Sequence, residues 1–300
     1  MTFFKQEFIA WNLGGYPKPP FDKRSRIRKR TFDKTLNSFS NNKRLPWIFL
    51  EEIRLTEKHY PLLTRLFPRY VGFFNSDSST SAGTVIFVPR VITELFVCEH
   101  HVLEQNHSHY VIVNSPQPFL VSNVYINTKS WGTKLHSLKH LDLPPQPSLR
   151  LIGGDWNFVE YRKDVAEYTS HYDLPEDFKV TFDHFLETNN LKESHHDAFT
   201  HYRLNKKLEH TSAARLDRFY LGCPEALIAA FKPSTTLAKP GITLRRRPAT
   251  HHEPIRFSFC RKKDIRSQFD RIPQWVANTE VFANLFKEVL RRRKHLIKSL

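Results

Sequence analysis

Short runs rich in apolar residues are the most regular feature of the first half of the chain. Each run is four to eight residues long, which is the length of a β-strand and too short for most helices. Runs that do not alternate with polar residues are typical of strands covered on both faces. The pattern therefore predicts strands at residues 8–11, 47–50, 85–88, 110–113, 119–126 and 149–152.

Helical spacing appears elsewhere in the chain. Leu174-Pro175-Glu176-Asp177 is a favourable helix start, because acidic residues in the first turn interact well with the helix dipole. Apolar residues follow this start as far as position 186. A second amphipathic helix is predicted from about residue 279, before a basic run. Strands mixed with helices in this way indicate a layered α/β or α+β fold.

Composition limits the class of protein. Hydrophobic residues make up 40% of the 300 residues, which is enough for a sizeable core. No apolar run approaches the roughly 18–20 residues of a membrane span, and Glu7 interrupts the run that a signal peptide would need. The three cysteines, Cys98, Cys223 and Cys260, favour a reducing compartment over a disulfide framework. We therefore expect no membrane partner.

The charge balance favours a polyanionic partner. Lys and Arg number 46 against 30 acidic residues, a formal net charge of +16, which suits nucleic acid or an acidic membrane surface. The basic residues cluster at positions 23–30, 245–247 and 291–294. The first cluster lies between Pro19-Pro20 and Asn41-Asn42, which predicts an exposed loop. A solvated basic surface or a nuclear-import signal is the plainer alternative.

Polar side chains follow several of the apolar runs, where open α/β folds place their ligand-binding groups. Asn12 precedes two glycines, and its amide suits a phosphate oxygen or a neighbouring carboxylate. Glu51 and Glu52 end the second run, and a carboxylate there suits a hard divalent cation. Tyr125 has a hydroxyl that is suited to donate a hydrogen bond to a phosphate. The ordinary alternatives are a turn-forming Asn, solvated acids and a core aromatic residue.

The most specific single piece is Gly153-Gly154-Asp155-Trp156-Asn157. β alternation predicts that Asp155 and Asn157 share one face, so that one positions a water and the other bonds a phosphoryl oxygen. An Asx turn is the alternative. Farther along, Asp217 and the pair His251-His252 suit a coupled site, because a buried Asp raises the basicity of a His. Surface histidines are the alternative, since the chain has 16.

Together these pieces resemble the exonuclease III-like endonuclease/exonuclease/phosphatase family. The family's pattern is Trp-Asn, Leu-Gln-Glu, Asn-Val-Tyr, Gly-Asp-Phe-Asn, Arg-Ile-Asp and Ser-Asp-His-x-Pro, in this order. The chain has Trp11-Asn12, Leu50-Glu51-Glu52, Asn123-Val124-Tyr125, Gly154-Asp155-Trp156-Asn157, Arg215-Leu216-Asp217 and His251-His252-Glu253-Pro254. Each piece is weak alone, but the ordered set is specific. The match extends over roughly residues 5–260.

Within that family the chain is most similar to the endonucleases of LINE-type non-LTR retrotransposons. Residues 198–201 and 214–221 resemble their Phe-Thr and Ser-Arg-Ile-Asp-Arg-Tyr passages, and residues 272–276 resemble their linker to reverse transcriptase. The resemblance implies an enzyme domain at 1–260, and a basic linker with an amphipathic helix at 261–300. It also implies a nuclear location, DNA as the substrate, and a reverse transcriptase portion as a partner.

The resemblance further implies an α+β fold, a four-layer α/β/β/α sandwich of two packed mixed sheets flanked by helices. The implied reaction is hydrolysis of a DNA phosphodiester with Mg²⁺, or with Mn²⁺ as an alternative ion. Glu52 and Asn12 would hold the ion, and Asp155 would orient the attacking water. Asn157 and Tyr125 would bond phosphoryl oxygens, and His252 paired with Asp217 would act as acid or base. The residues predicted to bind DNA are Arg26, Arg28, Arg30, Arg245, Arg246 and Arg247.

Five positions depart from the family's pattern. Gly14 replaces an acid or amide, Glu51 replaces Gln, Asn127 replaces Pro, Ala214 replaces Ser, and His251 replaces an Asp that helps to hold metal in relatives. Fewer acidic and amide groups near the ion should weaken cation binding. Three interpretations stay open: a nicking endonuclease, a phosphatase or phospholipase of the same fold, and a catalytically decayed DNA-binding remnant. The basic charge disfavours the phosphatase or phospholipase.

Overall fold

The structure is a computed structural model that describes residues 3–78, 80–166, 174–204, 210–239 and 250–259, and also residue 284. Its helices are α1 (Lys23–Ser40), α2 (Pro61–Thr64), α3 (Arg90–Leu95), α4 (Trp131–Lys139), α5 (Glu176–Thr188) and α6 (Glu225–Ala230). The first seven strands are β1 (Glu7–Asn12), β2 (Trp47–Glu51), β3 (Tyr70–Asn75), β4 (Thr84–Pro89), β5 (Val97–Glu104), β6 (Ser108–Asn114) and β7 (Phe119–Tyr125). The others are β8 (Arg150–Asp155), β9 (Leu191–Glu193), β10 (His201–Leu204), β11 (His210–Ala214), β12 (Asp217–Gly222), β13 (Pro233–Leu237) and β14 (Ile255–Phe259).

Twelve of these strands form two six-stranded mixed sheets. The first sheet has the order β13-β14-β1-β2-β4-β3, and the second has the order β5-β6-β7-β8-β12-β9. Each sheet has one parallel pair at its centre, β1 with β2 and β7 with β8, while its other described pairs are antiparallel. Strands β10 and β11 form a separate two-stranded ribbon.

The two sheets pack face to face and carry helices on their outer faces. Between the sheets, Phe49 of β2 packs on Phe219 of β12, with ring centroids 6.1 Å apart. Helix α1 covers the first sheet, where Phe32 lies edge-on to Trp11. Helices α4 and α5 cover the second sheet with their apolar sides. Each fully buried aromatic side chain stabilises this packing by roughly 2–3 kcal/mol. The expected four-layer α/β/β/α sandwich is therefore confirmed.

The predicted strands all form, and the helix that Glu176 begins is α5. The prediction of an exposed loop at residues 23–30 is wrong, because these residues begin the 18-residue helix α1. The Asp22 carboxylate caps this helix by accepting a hydrogen bond from the Ser25 amide. Phe32, Leu36 and Phe39 then bury one face at helical spacing, and that face anchors the basic first turns to the first sheet.

Two sequence predictions concern residues outside those that the structure describes. The linker and amphipathic helix at 261–300 lie outside the described residues apart from position 284, as do Arg245, Arg246 and Arg247. The division at residue 260 therefore stays a prediction. None of the described helices combines the length and the apolar character needed to cross a bilayer.

Candidate active site at the polar end of the sandwich

Strand alternation creates a polar end within the layer between the two sheets. Along β2, the inward side chains of Trp47 and Phe49 are apolar, and the next inward residue is Glu51. Along β8, Leu151 faces the same core and the strand ends at Asp155. Because β1 runs parallel to β2 and β7 runs parallel to β8, their carboxyl ends meet at one edge of the sandwich. The polar residues that end these strands therefore collect there.

Two further strands bring groups from distant parts of the chain to this edge. Strand β12 runs antiparallel to β8, so its first residue, Asp217, lies opposite Asp155. Asn123 in β7 ties the sheets together beneath the site, since its amide donates to the carbonyls of Leu50 and Val85, both at 3.1 Å. His252 precedes β14, which pairs with β1. The first and second sheets are thus held in register where their polar ends meet.

Glu52 accepts hydrogen bonds on both carboxylate oxygens. Oε1 accepts from the Tyr125 hydroxyl at 2.7 Å and from the Asn12 amide at 3.3 Å. Oε2 accepts from the Arg54 guanidinium. Burial acts to raise the pKa of Glu52, but the Tyr125 hydrogen bond and the Arg54 charge outweigh it, so the pKa is lowered. Glu52 is therefore an ionised carboxylate at neutral pH, as a divalent-cation ligand must be.

Asn12 joins the two carboxylates of the site. Its amide nitrogen donates to Asp155 Oδ2 at 2.7 Å as well as to Glu52, and its oxygen accepts from the Gly14 amide at 2.7 Å. Asp155 is fully buried, and burial raises its pKa to about 7, with His252 opposing the rise and Asp217 adding to it. A carboxyl with this pKa changes between proton acceptor and neutral acid near physiological pH.

His252, rather than His251, faces the buried acids. Its Nδ1 lies 3.1 Å from Asp217 Oδ2, and its Nε2 lies 3.7 Å from Asp155 Oδ2. Burial acts to lower the pKa of His252, but Asp217 and Asp155 together outweigh it and raise the pKa to about 9. His252 therefore carries a proton at neutral pH. His251 is exposed, although its carbonyl accepts from the Tyr202 amide at 2.9 Å.

Asn157 does not share a strand face with Asp155 as alternation predicted. Strand β8 ends at Asp155, and Asn157 has a φ of +52°, in the left-handed region. Its backbone amide donates to Asp155 Oδ1 at 3.0 Å, which is the Asx turn that was the alternative. Its side-chain amide donates to the Ile126 carbonyl at 2.9 Å. Asp155 thus holds the loop that carries Asn157 beside it.

The donor set fits a hard divalent cation. Carboxylate oxygens of Asp155 and Asp217 lie within 4.8 Å of each other, and Glu52 adds an ionised carboxylate. His252 completes this cluster but carries a proton at neutral pH, so it is not counted among the ligands. One oxygen of Asp217 and both oxygens of Glu51 are buried with no hydrogen-bond partner among the described residues. Oxygen-rich, acidic surroundings of this kind suit Mg²⁺ or Mn²⁺. Glu52 is the candidate ligand, with Asn12 and Asp155 beside it.

Glu51, where the family pattern has Gln, is the one departure whose consequence is visible. Its side chain is fully buried between the sheets. Burial, together with Asp217 and Asp155, raises the pKa of Glu51 well above its ordinary value. A neutral carboxylic acid at this position has a hydroxyl donor, so it resembles the amide that the family pattern carries there.

The predicted DNA-binding arginines of α1 separate onto different faces. Arg28 is half-buried, and its guanidinium donates to the carbonyls of Leu13 and Gly14 at 2.9 and 2.8 Å, directly after Asn12. Arg26 and Arg30 are exposed one helical turn apart and line a shallow surface cavity. Arg28 alone of the three therefore lies against the turn that follows Asn12.

No protein-family model matches the sequence, and no curated protein sequence matches it. Solved structures do match. The 3′ phosphatase NExo from Neisseria, bound to a product DNA hairpin, has a TM-score of 0.63 at 17% identity and covers 85% of this chain and 99% of its own. The chain has the fold of the endonuclease/exonuclease/phosphatase superfamily.

Two further structures support this fold. An AP endonuclease from Archaeoglobus fulgidus has a TM-score of 0.62 at 13% identity, and the match covers 85% of this chain and 99% of that one. The endonuclease domain of TRAS1, a telomere-specific non-LTR retrotransposon, has a TM-score of 0.55 at 12% identity and covers 86% of this chain and 100% of its own. Neighbours of this fold are hydrolytic nucleases and phosphatases.

Three residues of the site had no role predicted from the sequence, although Thr200 and His201 lie in the Phe-Thr passage at residues 198–201. Thr200 accepts from the backbone amides of Leu216 and Asp217, both at 3.0 Å, and so fixes the start of β12. The His201 ring lies 4.7 Å from the His252 ring, and burial lowers the pKa of His201 to about 2, which keeps it neutral. Arg54 follows Glu52 by two residues. Their roles could not be predicted from local pattern, since the contacts of Thr200 and His201 join distant parts of the chain.

Proposed function

We propose that this protein is a Mg²⁺-dependent DNA endonuclease that hydrolyses internal phosphodiester bonds. One observation carries the proposal: a single edge of the sandwich combines an ionised carboxylate, Glu52, with a buried acid, Asp155, and a protonated His252 held by Asp217. These are the groups that metal-assisted phosphoryl hydrolysis needs. The formal net charge of +16 favours nucleic acid over a small phosphate ester as the substrate.

Glu52, supported by Asn12, would hold the ion. When bound there, Mg²⁺ supplies charge neutralisation for the phosphoryl oxygens and for the leaving group. Asp155 orients the attacking water and accepts its proton, because its pKa of about 7 allows it to be a carboxylate at neutral pH. The Asn12 hydrogen bond at 2.7 Å holds the Asp155 oxygen in a fixed direction.

His252 stabilises the negative charge that develops on the phosphoryl group, and it can give its proton to the leaving oxygen. Asp217 orients the ring and keeps it protonated through the 3.1 Å contact to Nδ1. Asn157 has a second amide hydrogen for a phosphoryl oxygen, and Tyr125 presents its hydroxyl beside Glu52. The two groups would position the scissile phosphate.

The structural neighbours support DNA as the partner. One is bound to a product DNA hairpin, one is an AP endonuclease, and one is the endonuclease domain of a retrotransposon. We extend the proposal to retrotransposon-like nicking of a target site in the nucleus, alongside a reverse transcriptase portion. The support for this extension is the sequence resemblance at residues 198–201, 214–221 and 272–276.

Nicking of supercoiled plasmid with Mg²⁺ or with EDTA tests the proposal. We expect conversion to the open circle only with Mg²⁺, and a loss of at least about 100-fold in Glu52→Gln, because the amide keeps the shape but not the charge. Glu57→Gln, which removes an exposed acid five residues away, is the matched control. Equal nicking by the parent and Glu52→Gln would contradict the metal assignment.

The same preparation distinguishes the two other candidate functions. A 3′-phosphorylated DNA hairpin, phosphoinositide and sphingomyelin test for a phosphatase or phospholipase, which the first neighbour's phosphatase activity makes worth measuring. A decayed DNA-binding remnant is favoured by His251, which stands where the family pattern has a metal-holding acid. Such a remnant would bind DNA in a fluorescence anisotropy assay but turn over none of these substrates.

A further inference from the structure

Arg54 makes the most exposed of the contacts to Glu52. Its side chain is 40% exposed, against 13% for that of Glu52. The other two donors to the carboxylate, Asn12 and Tyr125, are buried. Water can reach the partly exposed Arg54 guanidinium and take its place, which lowers the stability that this ion pair contributes relative to a fully buried pair. Arg54 is therefore the donor that can leave Glu52 at the smallest cost.

The backbone at Arg54 is fixed although its side chain is exposed. Arg54 has a φ of +53°, close to the +47° of Glu52, and its amide donates to the Ala82 carbonyl at 3.0 Å. A β-carbon added at Gly15 would lie 3.0 Å from Arg54 Cδ, so the turn after Asn12 lies closely against this side chain. The fixed backbone and this close packing hold the Arg54 guanidinium next to the Glu52 carboxylate.

The charge on Arg54 opposes a cation at Glu52 in two ways. The guanidinium occupies an oxygen of the carboxylate, and its positive charge repels a divalent ion nearby. Arg28, whose pKa is lowered by burial and by the charge of Arg54, lies on the same side of the site. The described site thus places two guanidinium groups beside the candidate metal ligand, although cation binding requires negative charge there.

We propose that Arg54 is a displaceable counter-ion of Glu52, which competes with the divalent cation for that carboxylate and so sets the cation affinity of the site. The inference rests on the proposed role of Glu52 as a metal ligand. It assigns Arg54 a function that is separate from the chemical step: the ion pair holds the Glu52 carboxylate in place, and the cation exchanges with the guanidinium.

Isothermal titration calorimetry with Mn²⁺, without DNA, tests this inference. Arg54→Gln should bind Mn²⁺ about tenfold more tightly than the parent, because a unit charge about 6 Å from a divalent ion in water-like surroundings repels it by about that factor. Arg65→Gln removes an exposed arginine after α2 and should leave the affinity within about twofold. Near-ultraviolet circular dichroism checks that each variant keeps its tertiary packing.

The direction of the change in Mn²⁺ affinity shows whether Arg54 competes with the cation for Glu52 or positions Glu52 to bind it. Equal or weaker Mn²⁺ binding by Arg54→Gln would overturn the inference, since Arg54 would then position Glu52 for the ion. The variant Glu52→Gln tests separately whether Glu52 is the cation ligand that the proposed function requires. If Glu52→Gln still binds Mn²⁺ like the parent, Glu52 is not the ligand and both proposals fall. If Glu52→Gln loses binding while Arg54→Gln is unchanged, only the inference about Arg54 falls.

Discussion

Replacement of Asp217 by Asn should change how the stability of the protein depends on pH. The pKa of His252 rises from 6.5 to about 9 in the folded protein, because Asp217 and Asp155 together outweigh the effect of burial. At about 1.4 kcal/mol per pKa unit, this rise corresponds to roughly 3 kcal/mol of free energy of unfolding. Asp217 contributes more than Asp155 to the raised pKa of His252. Its loss should therefore remove at least about half of the pH dependence of the free energy of unfolding.

The direction of the effect follows from the raised pKa of His252. The stabilisation is fully present below pH 6.5 and is lost as the pH rises through about 9, since the proton bound in the folded state is then released. Asp155, whose pKa burial raises from 3.8 to about 7, loses stabilisation in the same direction, but most of that loss is complete by about pH 7. The parent should therefore become less stable between pH 6 and pH 10 by more than Asp217→Asn does.

Urea unfolding in EDTA, followed at several pH values between 6 and 10, measures this difference. EDTA keeps divalent ions from contributing to stability. Asp183→Asn, which removes an exposed carboxylate on α5, is the matched control and should follow the parent. If the parent and Asp217→Asn lose stability in parallel over this range, Asp217 does not hold the proton on His252 and the site's electrostatics are misassigned.

Four other predictions follow from the site and its surroundings. Asp155→Asn should lower nicking by at least about 100-fold while DNA binding measured by anisotropy persists. His251→Asp should lower the Mg²⁺ concentration for half-maximal nicking, and no change would place that position away from the ion. Arg28→Ala should lower the slope of log DNA affinity against log salt concentration by about one, and it should lower this slope more than Arg26→Ala does. Equal slopes for the two variants would mean that the side of α1 that carries Arg28 does not contact DNA. Arg215→Met should reduce the free energy of unfolding by about 3–5 kcal/mol in urea, because it leaves Asp164 buried without its bidentate partner.

The sequence by itself determined the strands and the chemical groups at their ends. Apolar runs such as residues 47–50 and 85–88 are too short for most buried helices, so their length and flanking residues were enough to assign them as strands. The groups that follow the runs at residues 47–50 and 149–152, Glu52 and Asp155, are read directly from the chain. Helix α1 was also encoded locally, by the Asp22 cap and the spacing of its apolar residues, although the flanking turn residues suggested a loop.

Only the tertiary structure decided which of the neighbouring candidates face one another. The family resemblance favoured His252 over His251, but the contact of His252 with Asp217 and the pairing of Arg54 with Glu52 depend on how β1, β2 and β14 align. Sequence periodicity specifies which face of an element a residue occupies, but not which distant residue that face meets. The pKa values of the site follow from the same cause, because the carboxylates that stabilise the protonated form of His252 lie 35 and 97 residues earlier in the chain.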